Sequence, residues 1–381
     1  MMICKCENCT SALFYSPETE KLECSACGSS FKVSQYEEKT DSGEVMDMQI
    51  YSCTACGAKL AVNGVESSTF CSYCGQPTIV FDRVSLAKKP KYIIPFSVSK
   101  QKAVELIRRR MSKGFFIPNT IKNFKIEQVR GIYIPFWVYD VKYSDKIYLT
   151  GFVQRGKNKR MEYFYRHAET MFYGLPLDAS RQLSDEVTQR LEPFFLDDKK
   201  EFATGYMSGF YADCFDVNAE LTWEQARYRC RDLFDEEIIK SVRAHKVTIK
   251  TKDTKAEMIN REYMMFPAWF LTFRYEDEPY TILVNGQTEK VVGAVPYDKV
   301  KMRLFFVLIA AIASICFFPF AMMSLFICFL EATAFCVPVF FVLGGGVLWH
   351  KGKMKIKQVM RSISLTKESS INHFVKNRQE E

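Results

Sequence analysis

The residues with the clearest chemistry are cysteines set in pairs. Cys6 and Cys9 form one C-x2-C pair, fourteen residues follow, and Cys24 and Cys27 form the next; Cys53 and Cys56, the same spacer, then Cys71 and Cys74 repeat the layout. Thiolates two residues apart present both sulfurs on one tight turn. Two such turns facing each other across a short hairpin supply the four tetrahedral ligands that zinc takes at about 2.3 Å. Three of the four pairs are followed by glycine, Gly28, Gly57 and Gly75, which lets the backbone turn sharply beneath the sulfurs. The duplicated spacing points to metal rather than to buried reduced thiols. The expectation is two structural Zn2+ ions, each held by a local set: Cys6, Cys9, Cys24 and Cys27, then Cys53, Cys56, Cys71 and Cys74. Four thiolates close the coordination shell and leave no position for a reactive water. Cys4 is left over.

These elements sit in a chain of 381 residues, 48% apolar and 25% charged, long enough for more than one domain and at least one sizeable core. Nine of its fourteen cysteines lie in the first 74 residues, and no apolar signal-peptide core precedes them. A reducing compartment and metal ligation are therefore expected rather than disulfides. The net charge of +8 is modest for this length and does not by itself indicate nucleic acid. The first 80 residues hold five lysines against ten acidic residues, so the ribbons should repel phosphates, and nucleic acid is not expected there.

From 304 to 349 a single formal charge, Glu331, interrupts 46 residues. One span takes about 20 apolar residues, so two helices are expected, at about 304–323 and 331–348. Lys299, Lys301 and Arg303 precede them and Lys351, Lys353, Lys355 and Lys357 follow. Charge on both flanks predicts a two-span protein of the cell membrane with both termini cytoplasmic.

Between these ends, Ser99 is placed to cap a helix with Ala103, Leu106, Ile107 and Met111 on one face. Strands are expected at 132–143, 146–154 and 162–173. Thr222 with Gln225 reads as a capping box for a helix running toward Val242. A meander over 266–275, 280–285 and 289–294 follows, turning at Asn285-Gly286. No phosphate loop, H-E-x-x-H pair or nucleophile elbow occurs, so neither catalytic residues nor a small-molecule cofactor site are expected and the chain reads as a non-enzyme. The fold class expected is multidomain α+β: zinc ribbon 1–33, acidic linker 34–50, zinc ribbon 51–80, β-rich α+β domain 91–297, transmembrane helical hairpin 304–348 and basic tail 350–381.

Several segments carry a resemblance: the double ribbon, Tyr133-Ile134-Pro135-Phe136-Trp137, Leu177-Asp178-Ala179-Ser180, Leu191-Glu192-Pro193-Phe194, Gly205-Tyr206-Met207-Ser208-Gly209-Phe210-Tyr211-Ala212-Asp213, and Phe266-Pro267-Ala268-Trp269 through Val284-Asn285-Gly286-Gln287-Thr288. In these the chain resembles the bacterial membrane proteins labelled TFIIB-type zinc-ribbon-containing proteins. The resemblance implies a membrane-anchored scaffold or adaptor for cytoplasmic or membrane proteins in envelope stress, with a phage-shock-protein-A homologue as a candidate partner. The alternative function is a membrane-tethered nucleic-acid-binding protein. The helicase-like label sometimes attached to the group does not carry over without a phosphate loop. Glu289 stands where the group commonly has a glycine, so the turn there should differ.

Overall fold

The computed structural model describes residues 4–36, 45–62, 71, 73, 79–112, 116–122, 129–156, 158–180, 183, 185–276, 278–293, 295–309 and 311. The first ribbon contributes β1 (Leu13–Ser16), β2 (Lys21–Cys24) and β3 (Ser30–Lys32), paired antiparallel in that order. Then come β4 (Val45–Cys53), β5 (Lys59–Val62), β6 (Ile79–Lys88), β7 (Tyr92–Ile93), α1 (Lys100–Ser112) and α2 (Asn119–Lys122). The centre is built by β8 (Val129–Arg155), β9 (Asn158–Asp178), α3 (Asp185–Leu191), β10 (Lys200–Glu201), β11 (Tyr211–Asp213) and α4 (Ala219–Ser241). It is completed by β12 (His245–Tyr275), β13 (Glu278–Asn285) and β14 (Val291–Gly293).

Among the described residues one sheet runs β10-β7-β12-β8-β11-β5-β4-β6, with β13 and β14 added beside β12 and β9 beside β8. Its axis is the antiparallel pair of β8 and β12, in register from Leu271↔Val129 to His245↔Phe152 with three irregularities. The sequence suggests a break between two strands near 144, but β8 is continuous. Asp145 at that point is buried and accepts hydrogen bonds from the Asp253 N–H (3.1 Å) and the Thr254 hydroxyl (2.7 Å) of β12, so the charged residue is held inside the strand instead of ending it.

Strand alternation sorts β8 into two cores. Tyr133, Trp137, Tyr139, Val141 and Tyr143 join Phe96, Trp269, α1, α4 and the first ribbon. Ile132, Ile134, Phe136 and Val138 join Phe266, Phe270, α3 and the second ribbon. The run 132–139 is therefore apolar at every position because both faces are covered.

The helices close the first core. Ser99 caps α1, its hydroxyl accepting from the Lys102 N–H at 3.4 Å, and Ala103, Val104, Ile107 and Met111 make the buried face. The cap of α4 is Asn218, whose side chain accepts from the Leu221 N–H at 3.0 Å. That corrects the expected Thr222–Gln225 box: the helix starts earlier, and Thr222 is buried with its hydroxyl 2.7 Å from the Tyr139 hydroxyl. At the turn after β13, Glu289 does adopt the left-handed conformation, with φ 62, so the position expected to differ keeps a glycine's backbone without a glycine.

The expected fold class is corrected at its C-terminal end. Among the described residues no helix is long and apolar enough to cross a membrane, and the transmembrane hairpin, the membrane assignment and the two-span localisation are withdrawn on that finding. The last described helix, 299–309, is capped by Asp298, which accepts from the N–H groups of Val300 (2.9 Å) and Lys301 (3.1 Å). Eleven residues rise about 16 Å, roughly half a bilayer core. The rest of the expected spans and the tail 350–381 lie outside the described residues, as does most of the expected acidic linker, of which 45–50 belongs to β4.

Candidate metal centres

The Sγ atoms of Cys6, Cys9, Cys24 and Cys27 all lie within 4.8 Å of one another, and so do those of Cys53, Cys56 and Cys71. Both clusters are close enough to hold a metal ion. Cys74, expected as the fourth ligand of the second set, lies outside the described residues. Cys4 is buried but belongs to neither group.

The sulfur separations test the fit. Cys6 to Cys27 is 3.5 Å, Cys9 to Cys24 3.4 Å and Cys56 to Cys71 3.8 Å. A tetrahedron with Zn–S bonds of about 2.3 Å has edges of about 3.8 Å, whereas a disulfide needs about 2.05 Å. The donor chemistry and the spacing fit a thiolate-bound ion.

The backbone explains how the pairs converge. In three knuckles the first cysteine accepts from the N–H four residues on: Thr10 to Cys6 at 2.8 Å, Gly28 to Cys24 at 2.9 Å, Gly57 to Cys53 at 2.7 Å. The same cysteines donate their own N–H to Ser11, Ser29 and Ala58. The turn needs a left-handed residue at its fourth step, and φ is 60 at Thr10, 74 at Gly28 and 70 at Gly57. Gly28 and Gly57 take that conformation freely, while Thr10 carries a β-branched side chain into it. In the first cluster the hydrogen-bonded Ser29 hydroxyl and the Ser29 backbone pull the Cys27 thiol down to about 6, toward the thiolate that binds metal.

Neither ribbon stands apart from the central sheet. The first is seated on the turn 204–209: the Tyr15 N–H donates to the Ser208 carbonyl at 3.0 Å, and the Tyr15 ring meets Tyr206 edge-on at 5.4 Å. Gly205 and Gly209 are glycines for room, since a Cβ at the first would stand 2.9 Å from Val33 and at the second 2.9 Å from Phe14. The second ribbon is joined by β5, which pairs with β11 through Leu60↔Asp213, Ala61↔Ala212 and Val62↔Tyr211. The segment 205–213 thus holds one ribbon with its first half and the other with its second.

Sequence reasoning missed the group that locks the second ribbon. Asp213 reads in the sequence as half of a surface carboxylate pair with Asp216, yet it is buried. The Tyr73 hydroxyl donates to its Oδ2 at 2.9 Å, Ser180 donates to the same oxygen, and the Cys214 N–H donates to Oδ1 at 2.9 Å. Tyr73 sits two residues after Cys71, so one hydrogen bond ties a metal knuckle to the sheet. Burial pushes the Asp213 carboxyl up to about 7, against the donors that pull it down. Burial also keeps Tyr73 protonated, and hence a donor, at any ordinary pH. Leu177–Ser180 and Gly205–Asp213, noted in the sequence as motifs, are the two segments that meet here. Between the first ribbon and the sheet lies an open cleft of about 350 Å³, lined among others by Phe14, Glu18, Ser99, Arg130 and Trp269.

No family model matches the chain, and no solved structure matches it. A protein of Bacillus subtilis (strain 168), described as "Uncharacterized protein YdjG", is 29% identical over 315 residues, covering 79% of this chain and 92% of that protein. The similarity spans most of both chains and brings no activity with it.

Proposed function

We propose that this chain is a non-enzymatic zinc-ribbon scaffold that presents its ribbons to partner proteins. In this reading each cysteine cluster holds one structural zinc, with Cys74 completing the second set. The observation that carries it is the pair of thiol clusters at tetrahedral spacing, each seated against the central sheet through the 205–213 segment. Zinc supplies folding energy to such sites and, fully ligated, no open position for chemistry. The resemblance to TFIIB-type zinc-ribbon proteins supports the same reading and makes a phage-shock-protein-A homologue the first partner to test.

The test is metal analysis of the purified chain together with crosslinking in cells. Two zinc ions per chain and a stoichiometric crosslinked partner are expected. Cys53→Ser or Cys71→Ser should remove one ion and the partner together. A metal-free protein, or a partner retained at full yield by both variants, would overturn the reading.

A further inference from the structure

Beyond residue 141 the central sheet continues as a three-stranded arm, β9-β8-β12, in which β8 lies in the middle and β9 pairs with β8 alone among the described residues. One face of the arm is covered: Tyr143 and Ile147 are buried, and Tyr143 packs on Phe234 of α4 with ring centroids 4.9 Å apart. The other face is open and carries aromatic side chains. Register places Tyr148 beside Tyr165, Thr150 beside Tyr163 and Phe152 beside Met161. Tyr163 is 78% exposed, Tyr148 57%, Met161 53% and Tyr165 48%. The rings of Tyr148 and Tyr165 lie 4.9 Å apart. Along β9 the exposed residues recur every second position, roughly 6.8 Å apart on one face.

The charge of the molecule is concentrated at this place. Segments 146–167 and 245–252 contain nine lysines and arginines, Lys146, Arg155, Lys157, Lys159, Arg160, Arg166, Lys246, Lys250 and Lys252, against the single acid Glu162. That surplus equals the net +8 of the whole chain, so the remainder of the sequence is balanced. Of the nine, Lys252 is paired with Asp235 of α4, and Lys157 lies outside the described residues. Lys146 and Lys159 share the open face, by register, with the aromatic residues.

We infer that the open face at the end of this arm binds single-stranded nucleic acid. An exposed aromatic patch rimmed by charge marks an interaction surface. Protein interfaces are depleted of lysine and of charge at their centres, whereas flat rings interleaved with Lys and Arg are what a stacked, unpaired polynucleotide needs: π surfaces for its bases and cations for its phosphates. The acidic ribbons turn the same polyanion away, so the field of the molecule steers it to the arm. The site is separate from the ribbon surfaces assigned to protein partners, and either reading can fail without the other.

The experiment is fluorescence anisotropy of a labelled oligothymidylate with the full chain at rising salt. Saturable binding that weakens steeply with salt is expected. Tyr163→Ala and Tyr165→Ala, both at exposed positions, should each weaken it about tenfold with an unchanged circular dichroism spectrum. Lys146→Glu with Lys159→Glu should weaken it further and flatten the salt slope by roughly two charges' worth. Three results would overturn the inference: no binding at low salt, binding indifferent to both tyrosine substitutions, or equal affinity for a duplex whose bases are already stacked. Retention on vesicles of anionic lipid, without oligonucleotide binding, would overturn it as well and assign the patch to a lipid surface.

Discussion

Tyr73→Phe removes one oxygen and leaves the ring where it is, in edge contact with Phe270 at 5.5 Å. No cavity is made. What is lost is the 2.9 Å hydrogen bond to Asp213 Oδ2, inside a site where no water replaces a missing donor cheaply. A hydrogen bond to a charged group contributes about 1.5–3 kcal/mol and one between neutral groups about 1 kcal/mol. Because burial raises the Asp213 carboxyl to about 7, the carboxylate form is the one present at about pH 8 and the neutral acid at about pH 5. The substitution should therefore cost about 2 kcal/mol at the higher pH and about 1 kcal/mol at the lower. Urea unfolding at both pH values, followed by tyrosine and tryptophan fluorescence, measures it. Repeating it with Ser180→Ala gives a double-mutant cycle, in which the two donors to one oxygen should couple by more than 0.5 kcal/mol. A loss below about 0.5 kcal/mol at pH 8, or an equal loss at both pH values, would refute the argument that this bond ties the second ribbon to the sheet.

Other outcomes follow from the same geometry. Asp213→Asn should flatten the pH dependence of stability: a carboxyl raised from 3.8 to about 7 by folding contributes stability fully below about pH 4 and loses it as pH rises through 7, by at most about 4 kcal/mol, so wild type and variant should diverge over that window in urea titrations. Thr10→Gly and Glu289→Gly, at positions with φ 60 and 62, should each raise the melting temperature, by relief of about 1 kcal/mol of backbone strain. Asn285→Ala should cost about 3 kcal/mol, because its buried amide donates to the Leu191 and Pro193 carbonyls and accepts from the Gln287 and Thr288 N–H groups, all orphaned by the change. Stripping metal with a chelator should expose the β5–β11 pairing to hydrogen exchange while the β8–β12 centre stays protected; uniform loss of protection would refute the local character of the second ribbon's anchorage.

The sequence by itself determined the parts whose chemistry is local. A C-x2-C knuckle needs only a short turn and a left-handed fourth residue, so spacing and glycine position announce it, and Thr10 is legible afterwards as the position that breaks the pattern. The α1 cap at Ser99 and the Asn285 turn are legible for the same reason: the residues that decide them are neighbours in the chain. Tertiary structure decided what depends on distant partners. That Asp213 is a buried lock rather than a surface acid follows from Tyr73, 140 residues away in sequence. That β8 continues through Asp145 follows from β12 supplying donors across 108 residues. The hydropathy of 304–349 suggested membrane spans, and the described residues contain no helix able to make one. The aromatic residues of the arm looked like ordinary strand-formers because a strand's period shows which residues share a face, while only the packing of α4 shows which face is left open.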